Sequence, residues 1–185
     1  MKHRACLLIL LVLFFVGGCA SVPLGTMWKL RNFEPADLAK LEPSEIRVAT
    51  LIQPGPQKLD PERSKLVLQL EPRDGGETEI HQFGLMFSTT DSAIPPGQPH
   101  VGWQNFALND AGTTAFRSLQ PQLVSVKDNY KSLTFKVQFG LVEAQLQERP
   151  SHLNVSARLR LASDQNVLTL LDGARIAMNY ESATD

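Results

Sequence analysis

The chain has 185 residues, 43% of them hydrophobic and 20% charged, with a formal net charge of −1, two cysteines and four histidines. That length suits one domain able to bury a core without disulfides or metals. The charges form no block of one sign, which excludes the basic stripe that holds nucleic acid. From the N-terminus, the first informative segment is Lys2 and Arg4, then an apolar run from Ala5 to Val16, then Val16-Gly17-Gly18-Cys19. The run is shorter than the ~20 residues a helix needs to cross a bilayer, so it reads as a signal-peptide core and not as a permanent span.

With two small residues placed before a cysteine, this segment resembles the lipobox signal of bacterial lipoproteins, a resemblance confined to the first 20 residues. It implies that the Cys19 thiol receives a diacylglycerol, that the signal is cut before it, and that the new amine is acylated. The alternatives are an ordinary secretory signal or an uncleaved anchor. On the lipoprotein reading, residues 1–18 are the signal peptide, 19–26 a lipidated tether, 27–181 a single periplasmic β-rich domain and 182–185 a tail. Loss of Lys2 and Arg4 leaves 16 of the 18 basic side chains against 19 acidic ones. Cys6 departs with the signal and Cys19 is consumed by lipid, so the exported domain has neither a disulfide nor a free thiol. Ala20 is not the aspartate that in such lipoproteins accompanies inner-membrane retention. The expected location is therefore the cell envelope, lipid-anchored to the outer membrane and facing the periplasm. Ala20 to Thr26 can span no more than about 25 Å when extended, which keeps the domain close to the lipid.

In the mature part, Pro35 to Leu41 suits a short helix ended by Pro43, and Ile46 to Ile52 a strand stopped by Gln53-Pro54-Gly55-Pro56. Leu66, Leu68 and Leu70 alternate with Val67, Gln69 and Glu71. Asp74-Gly75-Gly76 then turns the chain into a second strand, Thr78 to Ser88, with His81, Phe83, Leu85 and Phe87 on one face. Asp91 to His100 is proline-rich and reads as a loop, and Val101 to Leu108 as a strand carrying Trp103. Asn109 caps a helix expected to end near Gln120, since Pro121 opposes its continuation, with Ala111, Ala115, Phe116 and Leu119 buried and Gly112 weakening it. Strict alternation from Leu133 to Leu141 and from Leu153 to Leu161 predicts a sheet with one dry and one wet face, the two strands paired through a turn near Gln147 to Pro150. Val167 to Leu171, the Asp172-Gly173 turn and Ala174 to Tyr180 suggest a last hairpin. The expected fold is mainly β (α+β), an antiparallel β-sandwich or curved sheet of about eight strands with two short helices.

Candidate chemistry is sparse. His81, His100 and His152 stand at no metal-ligand spacing with one another or with carboxylates, so neither a metal nor another cofactor is expected. No Gly-x-Ser-x-Gly elbow, Walker loop, dinucleotide fingerprint or His-Glu-x-x-His occurs, although a triad assembled from distant positions leaves no local trace. His81 shares its face with large apolar residues and reads as a hydrogen-bonded histidine at a sheet edge before a catalytic one. If the last two alternating strands pair, Lys136 lies near Arg158 and Arg160 on the wet face. The trio is then a candidate contact for anionic groups, or else a solvated face matched by Glu143 and Glu148. The leading expectation is a non-enzymatic adaptor or accessory component of an envelope complex. It would be held to the membrane by its lipid and would contact another envelope protein, with no nucleic acid. The alternatives are a lipid- or small-ligand-binding module with an apolar cavity near Phe116, and a hydrolase.

Overall fold

A computed structural model describes residues 35–55, 59–89, 93–94, 101–125, 129–142, 150–162 and 167–178. Cys19, the signal and tether, His100, Glu143, Glu148 and the tail lie outside the described residues. Seven strands form one sheet: β1 (Arg47–Gln53), β2 (Leu59–Pro72), β3 (Glu79–Phe87), β4 (Trp103–Leu108), β5 (Tyr130–Leu141), β6 (His152–Arg160) and β7 (Leu168–Ala177). Their order is β5-β2-β3-β4-β1-β6-β7 with every pairing antiparallel, and the sheet curls into a nearly closed barrel. One helix, α1 (Asp110–Ser125), packs against β3, and among the described residues before β1 there are a single helical turn, Pro35–Leu38, and a 3-10 turn, Pro43–Glu45.

Period-two alternation builds the interior. Leu66, Leu68 and Leu70 of β2 stand in register with Val137, Phe135 and Leu133 of β5, and Val48 and Ile52 of β1 with Leu159 and Val155 of β6. These side chains converge on one apolar core with Phe83, Leu85, Phe106 and Leu108, and with Phe116, Leu119 and Leu123 from α1. Rolling the sheet lets one dry face pack against itself, which a flat sheet cannot do. This barrel replaces the expected sandwich.

Three expectations about elements are corrected. Among the described residues the expected last hairpin is a single strand and no eighth strand occurs, because β7 runs straight through Asp172-Gly173. Val155 pairs with Ala174 and Ala157 with Leu171, so Ser156 alone stands against Asp172 and Gly173. Gly173 has φ 62° and its N–H donates to Ser156 Oγ at 2.9 Å. An Asp-Gly pair thus serves as a bulge where an uninterrupted partner strand lies alongside. Second, β5 and β6 are not a hairpin, since β5 pairs with β2 and β6 with β1 and β7.

Third, α1 continues past Pro121 to Ser125, and the expected second helix is only the turn at Pro35. A mid-helix proline costs ~3 kcal/mol, but Pro121 is exposed while Leu119 and Leu123 on either side are buried, and burying each leucine is worth about 1.5–3 kcal/mol. Ala111 and Ala115 are exposed, and Gly112 takes their place on the buried side. A Cβ on Gly112 would lie 2.5 Å from the Gly84 carbonyl oxygen, so these two glycines let α1 approach β3 backbone to backbone. Asn109 is the helix cap as expected, with Oδ1 accepting the Gly112 N–H at 2.7 Å. The hairpin at Asp74-Gly75-Gly76 also forms, joining β2 to β3.

Candidate functional site

The basic face assembles differently from the expected stripe. Lys136 lies on β5 opposite Val67, with its side chain exposed, whereas Arg158 and Arg160 lie on β6, two strands not in register with each other. What stands beside the β6 arginines is Arg47 of β1, directly opposite Arg160 and one diagonal step from Arg158. All three are half-buried on the outer face. The Arg158 guanidinium sits 4.4 Å from the centroid of the Trp103 ring, within the range at which the ring's π-face attracts a cation. Arg47 Nη1 donates to the carbonyls of Ser44 at 2.6 Å and Ile46 at 2.9 Å, while its Nε is buried with no acceptor. The strand positions paired with these arginines carry no carboxylate: Ala107 and Arg160 for Arg47, Ala49 and Thr169 for Arg158. Beside them, Ala49, Ala93 and Ile94 form a small apolar cluster with Trp103 and Val167, which fixes the Trp103 ring.

Arg47 was not identifiable from the sequence, because it belongs to the cluster only through the β1–β6 register. Its place as the first residue of a strand whose alternate positions are Ala49 and Leu51 was the sole signal, and that pattern does not name the partner strand.

A second group surrounds His81. It lies on β3 opposite Leu68, and its Nε2 is 3.4 Å from Glu79 Oε2, a long contact between partly exposed groups. Tyr130 donates its hydroxyl to Glu79 Oε1 at 2.9 Å. Burial, reinforced by that hydrogen bond and by the Glu79 charge, pushes the Tyr130 phenol up to about 12. The phenol therefore stays protonated and donating through the neutral range. Glu79 and Tyr130 line an open cleft of about 400 Å³ at the β2–β3 turn, with Arg73, Asp74 and Asn129. His81 stands on β3, an inner strand of the sheet and not the edge expected for it, two residues beyond Glu79 and outside the cleft lining. Among the described residues its only hydrogen-bond partner is Glu79, which provides no nucleophile for a histidine to activate.

Near Phe116, where the alternative ligand-binding reading would place an apolar cavity, the ring packs 5.0 Å from that of Phe83, and both residues are buried. His152, the first residue of β6, accepts at Nδ1 from Arg175 Nη2 at 3.1 Å, and the same nitrogen lies 3.1 Å from Ser151 Oγ. Among the described residues no group of three metal-ligating side chains occurs, and no helix is long and apolar enough to cross a membrane. Comparison of the chain with protein-family models, with curated proteins and with solved structures finds no match.

Proposed function

We propose that this chain is a lipid-anchored envelope protein, attached through Cys19 to the outer membrane, that works by binding another envelope protein. The observation that carries the reading is the pair of long edge strands. Among the described residues β5 and β7 each pair along one side only, while the interior behind them is closed by packed apolar side chains. A filled core favours contact at the surface over uptake of a ligand, and unpaired strand edges are a recurrent means of joining an extended segment of a partner. The Glu79-Tyr130 cleft supports the second reading, a small-ligand module, since its volume lies in the range of small-molecule sites although its lining is polar and exposed.

Site-specific photo-crosslinkers at Gln138 on β5 and Thr169 on β7, in intact cells, are expected to capture the same partner. The same group at Ser118 on the outer side of α1 is expected to capture none. Equal labelling at all three positions, or none at either edge, refutes the reading. The anchor has its own test: Cys19→Ser should abolish labelling by a fatty-acid probe and leave the precursor unprocessed.

A further inference from the structure

We infer that the open cleft at the β2–β3 turn binds a small zwitterion, a molecule with one carboxylate and one ammonium group, through Arg73 on one side and Asp74 and Glu79 on the other. All three charged side chains line the same space of about 400 Å³. Yet among the described residues Arg73 pairs with neither carboxylate: Asp74 Oδ1 accepts the Gly76 N–H at 2.9 Å, and Glu79 meets the Tyr130 hydroxyl and His81. Opposite charges held apart across one cleft suit a ligand that carries both signs. An anion alone would face two carboxylates, and a cation alone or a metal ion would face the guanidinium. The polar, exposed lining gives an apolar ligand little to bury against. A forked guanidinium takes a carboxylate by two parallel hydrogen bonds, and the three N–H donors of an ammonium group suit the two acidic side chains.

The cleft is also held in shape before a ligand arrives. The β2–β5 register shifts between Glu71 and Pro72, which brings Pro72 opposite Tyr130, and the Arg73 N–H donates to the Asn129 carbonyl at 2.8 Å. The Gly76 N–H and the Tyr130 hydroxyl orient one oxygen of each carboxylate without neutralising it. Groups fixed in this way lose little freedom on binding. Gly76 keeps the space open: its φ is not left-handed, and a Cβ there would stand 3.1 Å from Asp74 Oδ1 and 3.7 Å from Pro72 Cγ.

The site rests on the small-ligand reading and not on the strand-edge contact, so failure of crosslinking at β5 and β7 leaves it standing. Amide NMR of the full-length chain in neutral detergent, titrated with L-alanine at constant ionic strength, is expected to show saturable shifts at Asp74, Gly75 and Gly76. Propionate and ethylammonium each keep one of the two charges of that probe, and each should bind about tenfold more weakly or worse, because one of two linked contacts is gone. Arg73→Gln should cut L-alanine affinity about fivefold or more, and so should Glu79→Gln, since each removes one charged partner. Gly76→Leu, which keeps every charge and fills the cleft, should abolish the shifts, and it serves if Glu79→Gln disturbs the Tyr130 contact. Lys131 pairs with Glu71 outside the cleft lining, and Lys131→Gln should leave the affinity unchanged. Saturable shifts with ethylammonium or propionate at the affinity of L-alanine keep the small-ligand reading and overturn the zwitterion. No saturable shift with any of the three probes overturns both, as does an affinity for L-alanine that none of the Arg73, Glu79 and Gly76 variants changes.

Discussion

At Gly112 two residue-scale effects compete. Alanine there would raise helix propensity by up to ~1 kcal/mol, yet its Cβ would sit 2.5 Å from the Gly84 carbonyl oxygen and 2.9 Å from the Gly84 nitrogen. Backbone cannot yield as a side-chain tip can, and overpacking costs typically ~1–3 kcal/mol. Gly112→Ala is therefore expected to lower stability by about 1 kcal/mol or more in denaturant melts, and a stabilised variant would show that α1 does not dock on Gly84. In the sequence the same glycine registers only as a weak point in a helix, because its packing partner lies on a strand that ends more than 20 residues earlier. Tyr130 offers a second test with a definite sign. Its folded pKa of about 12 lies above the ordinary value of ~10, so the stability it contributes is complete below about pH 10 and is lost as the pH rises towards 12. A phenolate absorbance step near pH 12 should be present in the native chain and missing from Tyr130→Phe. Glu42 and Glu71 act in the opposite direction. The carboxyl of Glu42 is lowered by hydrogen bonding to Arg117, and that of Glu71 by hydrogen bonding to Ser132 and then Lys131, so what they contribute is lost on acidification.

Among the elements, the apolar alternation of β5 was legible in the sequence, and its depth was not. Phe135 is 5% exposed, whereas Phe139, on the same face, is only half-buried. The difference arises because Phe135 faces Leu68 in regular register, while Phe139 falls where the β2–β5 register breaks between Asp60 and Lys65. Phe135→Ala should therefore cost about 3–5 kcal/mol, Phe139→Ala distinctly less, and Gln138→Ala on the wet face about half a kcal/mol or less. Equal losses at the two phenylalanines, measured by urea unfolding, would place the register break elsewhere. Strand pairing was the least legible feature. Period two says which side of a strand is dry, but β2 and β6 offer β5 equally apolar rows, and only the closing of the barrel selects between them. The Asp172-Gly173 pair is ambiguous in the same way. Its positive-φ glycine suits a tight turn or a bulge, and the choice depends on β6, which continues alongside for the full length of the segment.

At the scale of the whole molecule, the described residues form an odd number of strands. Seven strands joined only by antiparallel pairs leave β5 and β7, at the two ends of the order, pointing the same way. They approach each other without forming a ladder among the described residues. Nothing in the sequence encodes the seam directly, because it follows from counting strands, and the Asp172-Gly173 bulge removed the one that would have made the count even. The exposure of side chains along β7 rises from buried at Leu168 and Leu170 to exposed at Ile176, so the start of β7 is more enclosed than its end. Amide exchange should report this geometry. In β1, flanked on both sides by β4 and β6, every interior amide should be strongly protected. Along β5 and β7 protection should alternate, with amides turned towards β2 or β6 slow and those turned towards the seam faster by orders of magnitude. Near the end of β7 the contrast should be greatest. Uniform slow exchange along both edge strands would mean that they are hydrogen-bonded to each other or permanently covered, and it would remove the open strand edges on which the proposed partner contact depends.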